Sequence, residues 1–231
     1  MPISFHVLPD EDAVSEALAR HLADFLRLRP RAVLALPSGN TPIKTYAHLA
    51  RAPECLAEAT VFALDEYVGI PAADPRSFAH FFATHLFGPC RLPSARAHVL
   101  NGCAPDLGSE AVAYEAAIAA AGGLDMTVLG LGANGHIAFN EPAQALSART
   151  HVADLAPPAS DVAPQGITMG VATLLSAPRI VLIATGAHKQ EAVARMAGGS
   201  VDPACPASLL QVHPDVNVFL DTAAAAQITG I

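Results

Sequence analysis

The chain has 231 residues, of which 52% are hydrophobic and 15% charged, with no Trp and a formal net charge of −8. That length and apolar content suit one domain around one large core and exclude a disordered tail. The negative balance, with no cluster of Lys or Arg, argues against a nucleic-acid partner but leaves room for a small phosphorylated ligand held by local donors.

Cys55, Cys90, Cys103 and Cys205 lie far apart, without a C-x-x-C pair or a His at metal-ligand spacing, so reduced thiols and no metal site are expected. Asp10, Glu11 and Asp12 stand where a secretion signal would need basic residues. No run reaches the ~18 apolar residues of a membrane span. The expectation is a cytoplasmic protein with no membrane partner.

In chain order, Ser4 to Leu8 reads as a strand, and the acidic Asp10-Glu11-Asp12 opens a helix with Val14, Leu18, Leu22 and Phe25 at helical spacing. Ala32 to Leu36 is an unbroken apolar run, as in a strand buried on both faces, and Thr41 to Ala50 is helical. Val61 to Leu64 is the next strand, then a loop with Pro71 and Pro75 and a helix over Ser77 to Leu86. Asp106 caps a helix carrying Leu107, Ala111, Tyr114 and Ile118. Met126 to Leu129, Ile180 to Ala184 and Val216 to Leu220 are three further strands, the second followed by a helix that stops at Gly198-Gly199. Alternating strands and helices predict an α/β fold: a single domain over residues 1–231, with a mainly parallel, doubly wound, modified Rossmann-like sheet and helices on both faces. The proline-bearing stretch within 151–167 is the candidate for a short lid, although an ordinary surface loop would read the same way.

Ligands of parallel α/β sheets collect beyond the carboxyl ends of the strands, so those segments carry the functional reading. Pro37-Ser38-Gly39-Asn40-Thr41-Pro42 turns from a strand into a helix, with Thr41 as expected N-cap and Pro42 in the first turn. Its free N–H groups and hydroxyls suit a phosphate, though a plain strand-to-helix turn has the same composition. Asp65 and Glu66 put carboxylates at a strand end, where a base or a solvated acidic turn is equally readable.

Gly130-Leu131-Gly132-Ala133-Asn134-Gly135 is a literal G-x-G-x-x-G after a strand, with Asp154 nineteen residues beyond the last Gly. A dinucleotide site needs a long helix opening there, and His136 to Glu141 has no helical stripe before Pro142. The better reading is a turn delivering Asn134, His136 and Glu141 to one mouth, with the Glu orienting the His as a proton shuttle. No G-x-S-x-G elbow or H-E-x-x-H pair is present. Lys189, in Thr185-Gly186-Ala187-His188-Lys189, again follows a strand and could reach a phosphate, or could be an ordinary exposed Lys.

Taken in order, the segments 37–42, 64–69, 132–142 and 185–189 resemble the glucosamine-6-phosphate deaminase family, and the likeness runs from about Ala32 to Asp221. The resemblance implies conversion of glucosamine 6-phosphate and water to fructose 6-phosphate and ammonia, with no cofactor. It implies that Asp65 moves the proton from C2 to C1, that His136 opens the pyranose ring, that Glu141 tunes His136, and that Asn134 orients them. Ser38, Gly39, Asn40, Thr41 and Lys189 would hold the 6-phosphate. The segment after Arg149-Thr150 is shorter than in typical members and lacks their Ser-Arg pair, while His151 and Ala153 occupy places that are basic in allosteric members. No N-acetylglucosamine 6-phosphate activation is therefore expected, in a monomer or small homo-oligomer. Competing readings are a 6-phosphogluconolactonase, whose aspartate-glutamate-arginine motif is absent, a galactosamine-6-phosphate isomerase, and a non-catalytic sugar-phosphate sensor.

Overall fold

The computed structural model describes residues 3–157 and 159–228. β1 (Ile3–Leu8) leads into α1 (Glu11–Leu28), which Asp10 caps by accepting the Ala13 N–H at 2.9 Å. Then come β2 (Val33–Leu36), α2 (Ile43–Leu49), β3 (Thr60–Ala63), β4 (Asp65–Tyr67), α3 (Phe78–Phe82), β5 (Ala97–His98), α4 (Leu107–Ala120) and β6 (Met126–Gly130). β7 (His151–Asp154), β8 (Gln165–Thr168), α5 (Val171–Leu174), β9 (Arg179–Ala184), α6 (Gln190–Gly198) and β10 (Val216–Asp221) complete the order. No helix among the described residues is long and apolar enough to cross a membrane.

Seven strands form one parallel sheet in the order β1-β10-β9-β6-β2-β3-β5. Successive side chains on each strand enter opposite cores, as the two-residue period of a strand requires. Val33 and Ala35 of β2, with Ile180 and Leu182 of β9, face a core closed by α4 and α6 through Tyr114, Ile118, Val193 and Met196. Leu34, Leu36, Val181 and Ile183 face the other core, closed by α1 and α2 through Leu18, Leu22 and Tyr46. The expected doubly wound arrangement is therefore present, and it explains why these strands are continuously apolar.

Strand order also locates the mouth of the sheet. From β2 the chain steps outward through β3 to β5, then returns to place β6 on the other side of β2 and builds outward through β9 and β10. β2 and β6 thus flank the topological switch point, where diverging connections leave a crevice at the carboxyl ends of the strands. The loops after them carry Ser38 to Thr41 and Gly130 to His136.

Three expectations need correction. The expected loop with Pro71 and Pro75 is found, but it does not begin directly after β3. After Leu64 the chain continues as β4, which joins a second, antiparallel sheet in the order β4-β8-β7. Leu64 is the joint, its N–H donating to Leu36 and its carbonyl accepting from Met169. The ends of the stretch 151–167 are accordingly strands, with a short 3-10 turn at Ala159–Asp161 between them; Pro158 lies outside the described residues. β4, β7 and β8 are short and mix polar with apolar residues, unlike the apolar runs of β2 and β3, and form by pairing with one another.

The third correction concerns Thr41, which does not cap α2. Pro42 occupies the cap position, without a side-chain bond, after a turn in which Asn40 accepts the Ile43 N–H at 3.3 Å. Gly39 sits at φ +98°, a left-handed conformation that favours glycine, so the loop curls before the helix begins. The remaining expected helices are found, that over Ser77–Leu86 as α3 followed by a wider turn through Phe87, and β5 is an edge strand of two residues with no sequence signal.

Candidate active site

A cavity of about 480 Å³ opens at the switch point, in the size range of small-molecule sites. Asp65 lies in its wall, 6% exposed, at the place where the chain leaves the main sheet for the small one. Burial, and then the neighbouring Glu66 carboxylate, push the Asp65 carboxyl up to about 7, against a weak opposing pull from the Ser38 hydroxyl at 3.5 Å. A carboxyl that changes charge near neutral pH can accept a proton and give it back.

Glu66 is not a second carboxylate over the cavity. Successive strand residues point to opposite faces, and Glu66 turns to the start of α3. Its two oxygens accept from the N–H groups of Tyr67, Phe78 and Ala79 and from the Ser77 hydroxyl, at 2.7–2.9 Å. Ser77 in turn accepts from Ala79 as the N-cap. This network fixes Phe78, whose ring lines the cavity. Ser77→Ala is expected to cost about 1–2 kcal/mol, because it removes both a cap and a donor to a buried carboxylate. A lower urea midpoint at unchanged m-value is the measurement.

The G-x-G-x-x-G segment does not open a helix. The chain after β6 makes a compact turn in which Gly132 and Gly135 are closed upon by their surroundings: a β-carbon at Gly132 would collide with the His136 ring, and one at Gly135 would stand 2.7 Å from Cys205 Sγ. Gly135 also takes φ +92°. Nδ1 of His136 lies 3.2 Å from Oε1 of Glu141, off the line of an ideal hydrogen bond. Asn134 Nδ2 donates to the other Glu141 oxygen at 2.8 Å, and its Oδ1 accepts the His136 N–H at 3.1 Å. Burial pushes the Glu141 carboxyl up, but His136 and Asn134 outweigh this and leave it below its ordinary value. Glu141 is thus anionic at neutral pH and backs one ring nitrogen of His136, while the ring faces the cavity.

The same turn is pinned from below by Asn140, which donates to the carbonyls of Ile137 and Met169, and by Thr168, whose hydroxyl accepts the Phe139 N–H. Ala138, between them, is forced to φ +49°. Phe139 closes a small apolar cluster with Tyr67, Ile70, Leu155 and Ala163, so the 155–164 excursion packs on the back of the cavity wall.

The anion-binding end is built from two loops. Ser38, Gly39, Asn40 and Thr41 line the cavity, and the N–H groups of Gly39, Asn40 and Thr41 donate to no acceptor among the described residues. Opposite them the chain turns at Gly186, φ +88°, whose N–H is held by Asp221 at 2.8 Å, and delivers Lys189 to the wall. No carboxylate pairs with Lys189 among the described residues, and burial lowers its ammonium below the ordinary range. A half-buried, unpaired Lys facing free amides and hydroxyls is suited to an anion.

Of the residues singled out from sequence, Ser38, Gly39, Asn40, Thr41, Asp65, His136 and Lys189 meet on one cavity. Asn134 and Glu141 stand behind His136 and do not line it. Sequence reading missed the supporting roles of Asn140, Thr168 and Glu66, and the presence of Phe78, Phe139 and His188 in the wall. Strand alternation alone would have separated Glu66 from Asp65; nothing in the sequence marks the others.

Residues 10–219 match the family described as glucosamine-6-phosphate isomerases/6-phosphogluconolactonase. The glucosamine-6-phosphate deaminase of Rhodopirellula baltica is 41% identical over 97% of this chain and 95% of its own length, and that of Shouchella clausii 40% over 94% of each. Among solved structures, a monomeric glucosamine-6-phosphate deaminase superposes with a TM-score of 0.90 at 34% identity, covering 98% of this chain and 99% of its own. The 6-phosphogluconolactonase of Trypanosoma cruzi has the same fold, with a TM-score of 0.84 at 20% identity over 98% and 97% of the two chains. Matched across nearly all its length, and 34–41% identical to these deaminases, the chain belongs to the glucosamine-6-phosphate isomerase/6-phosphogluconolactonase family, on its glucosamine-6-phosphate deaminase branch.

Proposed function

We propose that the protein converts glucosamine 6-phosphate and water to fructose 6-phosphate and ammonia. The observation that carries this reading is Asp65, a buried carboxyl poised near pH 7 on the same cavity as the Glu141-backed His136 and the Lys189 anion site. The likeness to curated deaminases over nearly the full chain supports it.

The 6-phosphate is held by the amides and hydroxyls of Ser38 to Thr41 and by Lys189. His136 carries the proton from the anomeric hydroxyl to the ring oxygen, opening the pyranose to the aldehyde, and Glu141 stabilises the imidazolium formed on the way; Asn134 fixes the Glu141 carboxylate. Asp65 takes the C2 proton while O1 gains one from the substrate ammonium, giving an enolamine, and Asp65 then returns its proton to C1. The result is an imine at C2. Water adds there and ammonia leaves, so that the ketose is formed and Asp65 ends as it began. The proton transfers of ring opening and isomerisation fall to side chains of this chain, and the imine is hydrolysed by the co-substrate water.

The stretch 151–167 serves as a short lid element that braces the cavity wall from behind, a role supported by the packing of Leu155 and Ala163 against Tyr67 and Phe139. The protein acts in the cytoplasm, in keeping with its unpaired cysteines, and as a monomer or small homo-oligomer. It carries no N-acetylglucosamine 6-phosphate effector site, since His151 and Ala153 offer no fixed cations there.

An ammonia-release screen over the 6-phosphates of glucosamine, galactosamine and mannosamine, with acid release from 6-phosphogluconolactone beside it, tests the assignment. Turnover of glucosamine 6-phosphate is expected. Ammonia from galactosamine 6-phosphate alone would make it the sister isomerase, and lactone hydrolysis without ammonia release would end the deaminase reading.

A further inference from the structure

The cavity presents a charge problem. It must accept a phosphate of up to two negative charges in a chain of net charge −8, yet Lys189 is the one Lys or Arg among the described residues that line it. A single half-buried ammonium whose charge is itself disfavoured by burial leaves part of that anion uncompensated.

One more basic group is present on the wall. His188 is exposed yet lines the cavity beside Lys189. Its ring is folded back over Gly186: a β-carbon on that glycine would stand 2.9 Å from Nδ1 and 3.0 Å from Cε1 of His188. The fold therefore keeps a bare glycine at φ +88°, anchored through its N–H to Asp221, where the imidazole rests. The charged and titratable groups around it are Lys189, Asp221 at the end of β10, and Asp65 and His136 across the cavity. No hydrogen bond engages the His188 ring among the described residues, so both nitrogens are free to meet a ligand.

We propose that His188 is a second, proton-gated cation of the phosphate subsite. This rests on the reading of the cavity as a sugar-phosphate site and adds a property that reading does not require. Substrate affinity falls when the His188 ring loses its proton.

Ammonia-release kinetics for wild type, His188→Ala and His188→Arg at about pH 6 and about pH 8.5 test this. Comparing variant with wild type at each pH cancels the titration of the substrate phosphate and of Asp65. The ratio of KM for His188→Ala to wild type is expected to be about tenfold at the lower pH, the loss of one charge-assisted hydrogen bond, and to approach one at the higher. His188→Arg should keep the low KM at both. An equal ratio at the two pH values would mean that the ring only packs, and would overturn the proposal.

Inhibition or calorimetric titration with inorganic phosphate separates this inference from the assignment beneath it. Phosphate binding that weakens in His188→Ala only at the lower pH, in a protein releasing no ammonia, would uphold the second cation while the deaminase reading failed. Phosphate affinity untouched by both His188→Ala and Lys189→Met would remove the subsite, and this proposal with it.

Discussion

Asp65→Asn is expected to lower kcat for ammonia release by at least ~10²-fold with KM little changed, because it removes the group that moves the proton and leaves the shape of the cavity intact. In the wild type, kcat/KM should fall as the pH drops below about 7, where burial and the Glu66 carboxylate cause Asp65 to take up its proton and lose its basicity. The same shift has a stability consequence of opposite sense. A carboxyl raised from 3.8 in the unfolded chain to about 7 in the fold binds its proton more tightly when folded, so its contribution to stability declines as pH rises through that window. The neutral Asn escapes this cost. Asp65→Asn should therefore be inactive and, at about pH 8, melt above the wild type, the stability and activity trade-off expected of a buried base. A pH–rate profile and thermal melts at two pH values measure both. Full turnover by the variant would end the assignment of Asp65 as the base.

Lys189→Met should raise KM for the sugar phosphate roughly ten- to hundredfold, the cost of one charge-assisted phosphate contact, with a smaller effect on kcat. Methionine keeps the aliphatic stem and its packing, so the loss reports the ammonium alone. Because burial already disfavours the charge of Lys189, and no carboxylate partner is stranded among the described residues, the variant should not lose stability. Equal KM values for wild type and variant, measured by ammonia release, would move the phosphate away from this end of the cavity.

Apart from the two-residue edge strand β5, the main sheet was readable from the sequence. Its strands are short apolar runs because helices cover both faces, and helix starts such as Asp10 and Asp106 announce themselves through side chains that accept the first free N–H groups. Ser38 to Thr41, Asp65, His136 and Lys189 could be singled out because they sit just after strands, whereas Phe78, Phe139 and His188 in the cavity wall could not. The small sheet was not readable. β4, β7 and β8 carry no apolar run, and β4 pairs with β8 across about a hundred positions of chain, which local pattern cannot encode. The misread Thr41 has a similar origin, since the turn from Asn40 to Ile43 delays the helix in a way that its composition does not reveal.

The sequence by itself determined the fold class, the candidate residues and the likeness to amino-sugar phosphate deaminases, because periodicity, turn chemistry and ordered motifs are local. Only the tertiary structure decided how those residues divide the work. It buried Asp65 until its carboxyl rose to about 7 and turned Glu66 away to hold Phe78 in place. It set Glu141 and Asn134 behind His136 rather than on the cavity, and folded His188 over Gly186 beside the lone lysine. Burial and mutual distance are properties of the packed chain, and they set both a carboxyl's proton affinity and the side chains a ligand can touch.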